Sequence, residues 1–136
     1  MSGFVLDCSV TGAWCFEDEK NPVAEKALDS LATGIALVPA MWPLEMANVL
    51  LMAERRRRIT RAHAIRSMEL LRSLPIEVDE STPSRAMGEI LALAREQDLS
   101  VYDAAYLKLA VREGIPLATL DRALATAAKR CGVPLK

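Results

Sequence analysis

The chain has 136 residues, a net charge of −1 and an apolar fraction of 51%, which gives room for a single domain, residues 1–136, with one real core. Such a composition excludes a linker or a tail, and a net charge near zero neither announces nor forbids a nucleic-acid partner. Cys8, Cys15 and Cys131 are odd in number and form no C-x-x-C pair, so they read as reduced, packed thiols in a cytoplasmic protein. The apolar runs are too short to cross a bilayer, and the N-terminus lacks the basic segment and long apolar stretch of a signal peptide.

In chain order, Phe4-Val5-Leu6 reads as a strand ending at Asp7. Residues 22–31 read as a helix with Asn21 as N-cap and Pro22 at the first helical position. Ile35–Val38 is a second strand, stopped by Pro39, and a long helix follows over 42–56. Thr60 caps another helix running to about Ser73, and Ile76–Val78 is a third strand. Thr82-Pro83 opens a helix expected to run unbroken to Gln97, and Ser100 opens one that ends at the C′ glycine Gly114. Residues 116–120 form a fourth strand, residues 121–131 a last helix, and Val133–Leu135 a short edge strand.

Strands separated by helices imply an α/β fold in which a parallel sheet of four to five strands is covered on both faces, a three-layer α/β/α arrangement. Ligands in such sheets gather beyond the carboxyl ends of the strands, where the following helices begin. Asp7 closes the first strand, Glu45 lies in the first turn of the helix after the second, Asp103 in the first turn of its helix, and Asp121 just past the fourth strand. All four carboxylates therefore map to one edge.

Each has an ordinary explanation. Ser100-Val-Tyr-Asp103 fits a capping box, Asp121 an N-cap, Glu45 a favourable place on the helix dipole, and Asp7 a strand terminator bonding loop amides. Together these readings strain. Glu45 and Asn48 share one stripe of an apolar segment, Met41 to Met52, and Asp103 is followed by Ala-Ala-Tyr-Leu-Lys-Leu-Ala, so burial leaves carboxylates in need of a partner. Gathered carboxylates repel, and a divalent cation relieves the conflict. Hard oxygen donors without a His/Cys cluster select Mg²⁺ or Mn²⁺ over zinc. The natural reaction of such a site is phosphodiester hydrolysis, with no nucleophilic side chain.

Other features are less decisive. The basic run Arg55–Arg58, followed by Arg61, Arg66 and Arg72, fits both a solvated helix terminus and a patch that collects RNA phosphates. Trp14, Trp42, Tyr102 and Tyr106 fit core packing better than base stacking, and His63, the one histidine, falls beyond the basic run on a solvated helix.

The motifs resemble a known family. Val5-Leu-Asp7-Cys-Ser9 resembles the opening D-x-S of PIN-domain nucleases, and Pro43-Leu-Glu45-Met-Ala-Asn48 their second acid with its trailing asparagine. Leu99-Ser-Val-Tyr-Asp103-Ala-Ala-Tyr106-Leu-Lys-Leu-Ala110 is similar to their third acid segment, and Leu117-Ala-Thr119-Leu-Asp121 to the T-x-D of the fourth. Each is weak alone; the four in order span the chain and resemble the VapC toxins of VapBC toxin–antitoxin pairs. The resemblance implies a PIN-like fold, Mg²⁺- or Mn²⁺-dependent endoribonuclease activity, a cognate antitoxin and a homodimer. It places catalytic, metal-binding roles on Asp7, Glu45, Asp103 and Asp121, with Ser9, Asn48 and Thr119 as supporting polar groups and Asp121 acting directly or through water.

Four alternatives remain open. A haloacid-dehalogenase phosphatase would need an aspartate where Ser9 stands. A receiver-like switch would need Asp79 as phosphoacceptor and would leave the Ser-Val-Tyr-Asp segment unexplained. A PIN nuclease for RNA processing without an antitoxin, and a catalytically silent PIN module that binds RNA or protein, keep the fold and change the role.

Overall fold

The computed structural model describes residues 2–136. Four parallel strands, β1 (Ser2–Leu6), β2 (Gly34–Pro39), β3 (Ile76–Asp79) and β4 (Leu117–Ala118), form a sheet in the order β3-β2-β1-β4. Central strands of a covered parallel sheet are apolar on both sides, and Phe4, Val5 and Leu6 are all buried accordingly. Val5 pairs with Leu37 on one side and Leu117 on the other. The chain lays β2 and β3 to one side of β1 and returns to place β4 on the other, so the strand order reverses between β1 and β4. In folds of this kind ligands gather beyond the carboxyl edge at such a switch point.

The helices are α1 (Cys8–Cys15), α2 (Pro22–Ser30), α3 (Trp42–Arg55), α4 (Arg61–Ser73), α5 (Thr82–Arg85), α6 (Leu91–Gln97), α7 (Val101–Glu113) and α8 (Arg122–Arg130). They make the outer layers of an α/β/α sandwich. α7 packs on β1, β2 and β4 through a face that includes Tyr106, Leu107, Leu109 and Ala110. Leu107 is wholly buried, so its truncation to alanine costs about 2–5 kcal/mol. α7 starts on the Ser100 hydroxyl, which accepts from the Asp103 amide at 3.1 Å, and ends at Gly114 with φ +65°, a left-handed position that glycine takes without strain.

Several expectations are corrected. The segment after Asp7, assigned no element from the sequence, is the helix α1, followed by a 3₁₀ turn at Glu17–Glu19. Val10, Thr11, Gly12, Ala13 and Cys15 are all buried, so this helix carries no polar stripe and no amphipathic period. The unbroken helix expected over 82–97 is split by a π-helical turn, Ala86–Ile90, a local wide turn of the kind a one-residue insertion creates. It leaves Met87 91% exposed. Its cap is Ser81 rather than Thr82, whose hydroxyl instead donates to the Asp79 carbonyl at 3.0 Å and accepts from the Ala40 amide at 2.9 Å. β4 is shorter than expected, and the terminal strand is a single parallel bridge, Leu117 to Leu135. No helix among the described residues is long and apolar enough to cross a membrane.

Candidate active site

Asp7 follows β1 in extended conformation and sits at the N-cap of α1 without capping it by its side chain. Its Oδ2 instead accepts from Ser9 Oγ at 2.6 Å and from Thr119 Oγ1 at 2.8 Å. Both hydroxyls are themselves placed by backbone just past β4: the Leu120 amide donates to Ser9 Oγ at 2.9 Å, and the Asp121 amide to Thr119 Oγ1 at 3.0 Å. A carboxylate only 6% exposed is thus held by two donors that stitch β1 to the loop after β4, across the switch point. Among the described residues no buried side-chain oxygen lacks a hydrogen-bond partner. Asp7 Oδ1 has none among the described residues, so it is not fully enclosed.

Glu45 lies in the first turn of α3, half-buried, and its Oε1 accepts from the Tyr106 hydroxyl at 2.8 Å. Burial pushes its carboxyl up; the Tyr106 donor opposes this, and the charges of Asp7 and Asp103 add to the rise. Asp103 occupies the first turn of α7. Only half of the expected capping box forms, because its side chain makes no return bond to Ser100 among the described contacts, and the carboxylate stays available. Burial raises it, and Asp7 and Asp121 raise it further. Asp121 is exposed and caps α8 through Oδ1, which accepts from the Leu124 amide at 2.9 Å.

Glu45 therefore feels the charges of Asp7 and Asp103, and Asp103 those of Asp7 and Asp121. Among the described residues none of the four is ion-paired with Lys or Arg. Two other partly buried acids are paired: Asp79 receives Arg112 at 2.7 Å, and Glu89 is met by Arg85 and by Lys108. No three His, Cys, Asp or Glu side chains among the described residues are drawn together as a ready chelate. The donor set still fits a hydrated divalent ion. It is all oxygen, has no cationic partner among the described residues and runs from the buried Asp7 to the exposed Asp121, and Mg²⁺ keeps several of its waters and binds through one or two carboxylates. Nitrogen and sulfur are out of play: burial pushes the Cys8 thiol up to about 12, and His63 is occupied elsewhere, donating from Nε2 to the Cys15 carbonyl at 2.6 Å.

The fold thus joins Asp7, Ser9 and Thr119 by hydrogen bonds and sets Glu45, Asp103 and Asp121 within electrostatic reach of them. It does not bring in Asn48, which is exposed and makes no side-chain hydrogen bond among the described residues. The premise of a mostly buried α3 also fails, since Leu44, Val49 and Leu51 face solvent. His63 is half-buried rather than solvated. Trp14 and Trp42 pack as expected, donating to the Ala24 carbonyl at 2.7 Å and to Thr11 Oγ1 at 3.2 Å; Tyr102, by contrast, is exposed. Tyr106 is buried, but its hydroxyl reaches the site; its i, i+3 spacing from Asp103 on one helix face was the available signal. In the basic run, Arg58 pairs with Asp18 and Glu19, both at 2.6 Å, and lies over the Phe16 ring at 4.1 Å. It pins the 3₁₀ turn to the end of α3. Arg55 to Arg57 remain exposed.

A three-layer sandwich with four carboxylates at its switch point defines the class, and the match of the PIN domain family over residues 4–130 settles it: the chain belongs to the PIN-domain family. The resemblance to the VapC group is borne out by a relative. Ribonuclease VapC3 of Pyrobaculum aerophilum is 31% identical over 121 residues, covering 89% of this chain and 91% of that protein. Among solved structures, PAE2754 from Pyrobaculum aerophilum superposes with a TM-score of 0.70 at 26% identity, covering 93% of this chain and 86% of that one. VapBC2 from Rickettsia felis, bound to a DNA fragment from its promoter, gives a TM-score of 0.68 at 11% identity over 98% and 97% of the two chains. At that identity the likeness concerns the fold.

Proposed function

We propose that the chain is a Mg²⁺- or Mn²⁺-dependent endoribonuclease, acting in the cytoplasm as the toxin of a type II toxin–antitoxin pair. The observation that carries this reading is the set of four uncompensated carboxylates, Asp7, Glu45, Asp103 and Asp121, at the switch point of a PIN fold. The named activity of the 31%-identical ribonuclease supports it.

Asp7 and Asp103 are the central holders of the cation, with Glu45 holding it or orienting its waters and Asp121 acting through water. When bound, such an ion supplies a water of lowered pKa and positive charge beside the phosphate. The protein's own groups do the rest. Ser9 and Thr119 fix the Asp7 carboxylate through Oδ2 and leave Oδ1 free, so the site is organised before substrate arrives. The same ring of carboxylates repels RNA in the absence of the cation, which makes phosphate binding and ion binding interdependent.

A cognate antitoxin and a second copy of this chain are the proposed protein partners. Apolar side chains on α3 and α4, Leu44, Leu51 and Ile65 among them, face solvent, and exposed apolar surface of this kind suits a partner. Asn48, on the same exposed side of α3, is retained as a supporting polar group toward substrate rather than toward the acids. The reading is tested by the ends of cleaved RNA. In-line attack by water leaves a 5′-phosphate, whereas a 2′,3′-cyclic phosphate product would mean attack by the ribose hydroxyl and would contradict it.

A further inference from the structure

A glutamate in the first turn of a helix, half-exposed and repelled by Asp7 and Asp103, has three freely rotating bonds and every electrostatic reason to swing into solvent. The structure holds it in place through a single phenol. Tyr106 is 1% exposed, and its helix α7 packs directly on β1, β2 and β4, so the ring has no freedom to follow a wandering partner. Its hydroxyl donates to Glu45 Oε1 at 2.8 Å. Cys8, the residue after Asp7, places Sγ 3.3 Å from the same hydroxyl.

The direction of these bonds follows from counting protons. The phenol has one proton and a carboxylate only accepts, so that proton points at Glu45 and the Cys8 thiol donates to the Tyr106 oxygen. Side chains from α1, α7 and α3 thus converge in one chain, Cys8 to Tyr106 to Glu45. Glu45 Oε2 is left without a hydrogen bond from the protein among the described residues.

We propose that Tyr106 is a positioning residue of the acidic site: it holds the Glu45 carboxylate at the switch point by Oε1, so that Oε2 is presented to the cation, and Cys8 fixes the rotation of its hydroxyl. The proposal rests on the reading of the four acids as a metal site. Partners of this kind beside a metal ligand typically contribute about 10- to 100-fold in metal affinity or activity. A tyrosine that merely satisfies its hydroxyl while packing the core contributes nothing to either.

The test is calorimetric titration of Mn²⁺ into the wild type, Tyr106→Phe, Glu45→Gln and the double variant, with thermal melting of each. The expected result is Mn²⁺ binding weakened about 10-fold in Tyr106→Phe with the fold retained, and no further weakening when Tyr106→Phe is added to Glu45→Gln, since the phenol acts through the carboxylate. Undiminished affinity in Tyr106→Phe overturns the positioning role and leaves the metal site standing. Failure of the wild type to bind Mn²⁺ removes the metal site and the proposal together. If Tyr106→Phe does not fold, the chain's two tyrosines permit a direct measurement on protein labelled with 3-fluorotyrosine, the signals being assigned with Tyr102→Phe. The Tyr106 fluorine resonance should shift saturably with Mg²⁺ in the wild type and stay still in Glu45→Gln. A resonance unmoved at saturating Mg²⁺ in the wild type overturns the proposal.

Discussion

Asp7 and Thr119 stand 112 positions apart in the chain and are joined by a 2.8 Å hydrogen bond at the centre of the acidic edge. The same threonine oxygen accepts the Asp121 amide, so one hydroxyl couples the acid after β1 to the acid after β4. Thr119→Val keeps the shape and removes this coupling. It should lower stability by about 1–3 kcal/mol, since a buried carboxylate loses a donor, and lower RNA cleavage by about 10- to 100-fold. Thr119→Ser should restore most of both in melting and rate measurements.

Mutual repulsion among the acids makes a prediction about pH. Glu45 and Asp103 are raised by burial and by neighbouring carboxylates. A carboxyl raised in the folded state stabilises the fold fully below its unfolded pKa, and that stability is lost as pH rises through the folded value. In EDTA the protein should therefore melt higher near pH 5 than near pH 7.5. Asp103→Asn should remove much of this difference and raise the neutral-pH stability, by on the order of 1 kcal/mol or less because the group is partly solvated. Added Mg²⁺ should raise the wild-type melting temperature at neutral pH and do so much less for the variant.

Ser100 tests how far the site depends on the start of α7. Ser100→Ala deletes the cap on the Asp103 amide and should cost about 1 kcal/mol. Because the frayed turn is the one carrying Asp103, cleavage should fall more than the loss of stability alone explains. Ser100→Asp, which restores a cap, should recover the melting temperature.

Arg58 separates the two readings of the basic run. It is committed to Asp18, Glu19 and the Phe16 ring, so Arg58→Ala should lower the melting temperature in low salt, with the difference shrinking as salt screens the pairs. Affinity for RNA should be unchanged. Replacing exposed Arg55 and Arg56 together should instead weaken RNA binding and reduce its salt dependence, if these residues collect phosphates.

The sheet and the acidic edge were legible because they rest on local rules. Asp7 and Asp121 follow short apolar runs, Glu45 and Asp103 open helices whose start signals are plain, and the carboxyl-edge rule gathers them. What was not legible depends on tertiary burial. α1 has no amphipathic period because it is covered on nearly every side, and the π turn at Ala86–Ile90 interrupts a segment whose start signals at Thr82-Pro83 announce only a helix. The apolar run in α3 suggested a buried helix, yet periodicity cannot distinguish side chains packed in this chain from those left outward, as Leu44 and Leu51 are. Asn48, grouped with Glu45 on that reading, lies on the exposed side of the helix. Tyr106 was read as packing because its ring packs; only the position of its hydroxyl reveals the second role.

The central claim is tested most directly by incubating purified protein, free of any partner, with total RNA in Mg²⁺, Mn²⁺ or EDTA, beside Asp7→Asn and Asp103→Asn. The account predicts cleavage with either metal, none in EDTA and none by either variant. Cleavage that persists in EDTA or in the variants would contradict it and remove the carboxylate edge as the active site.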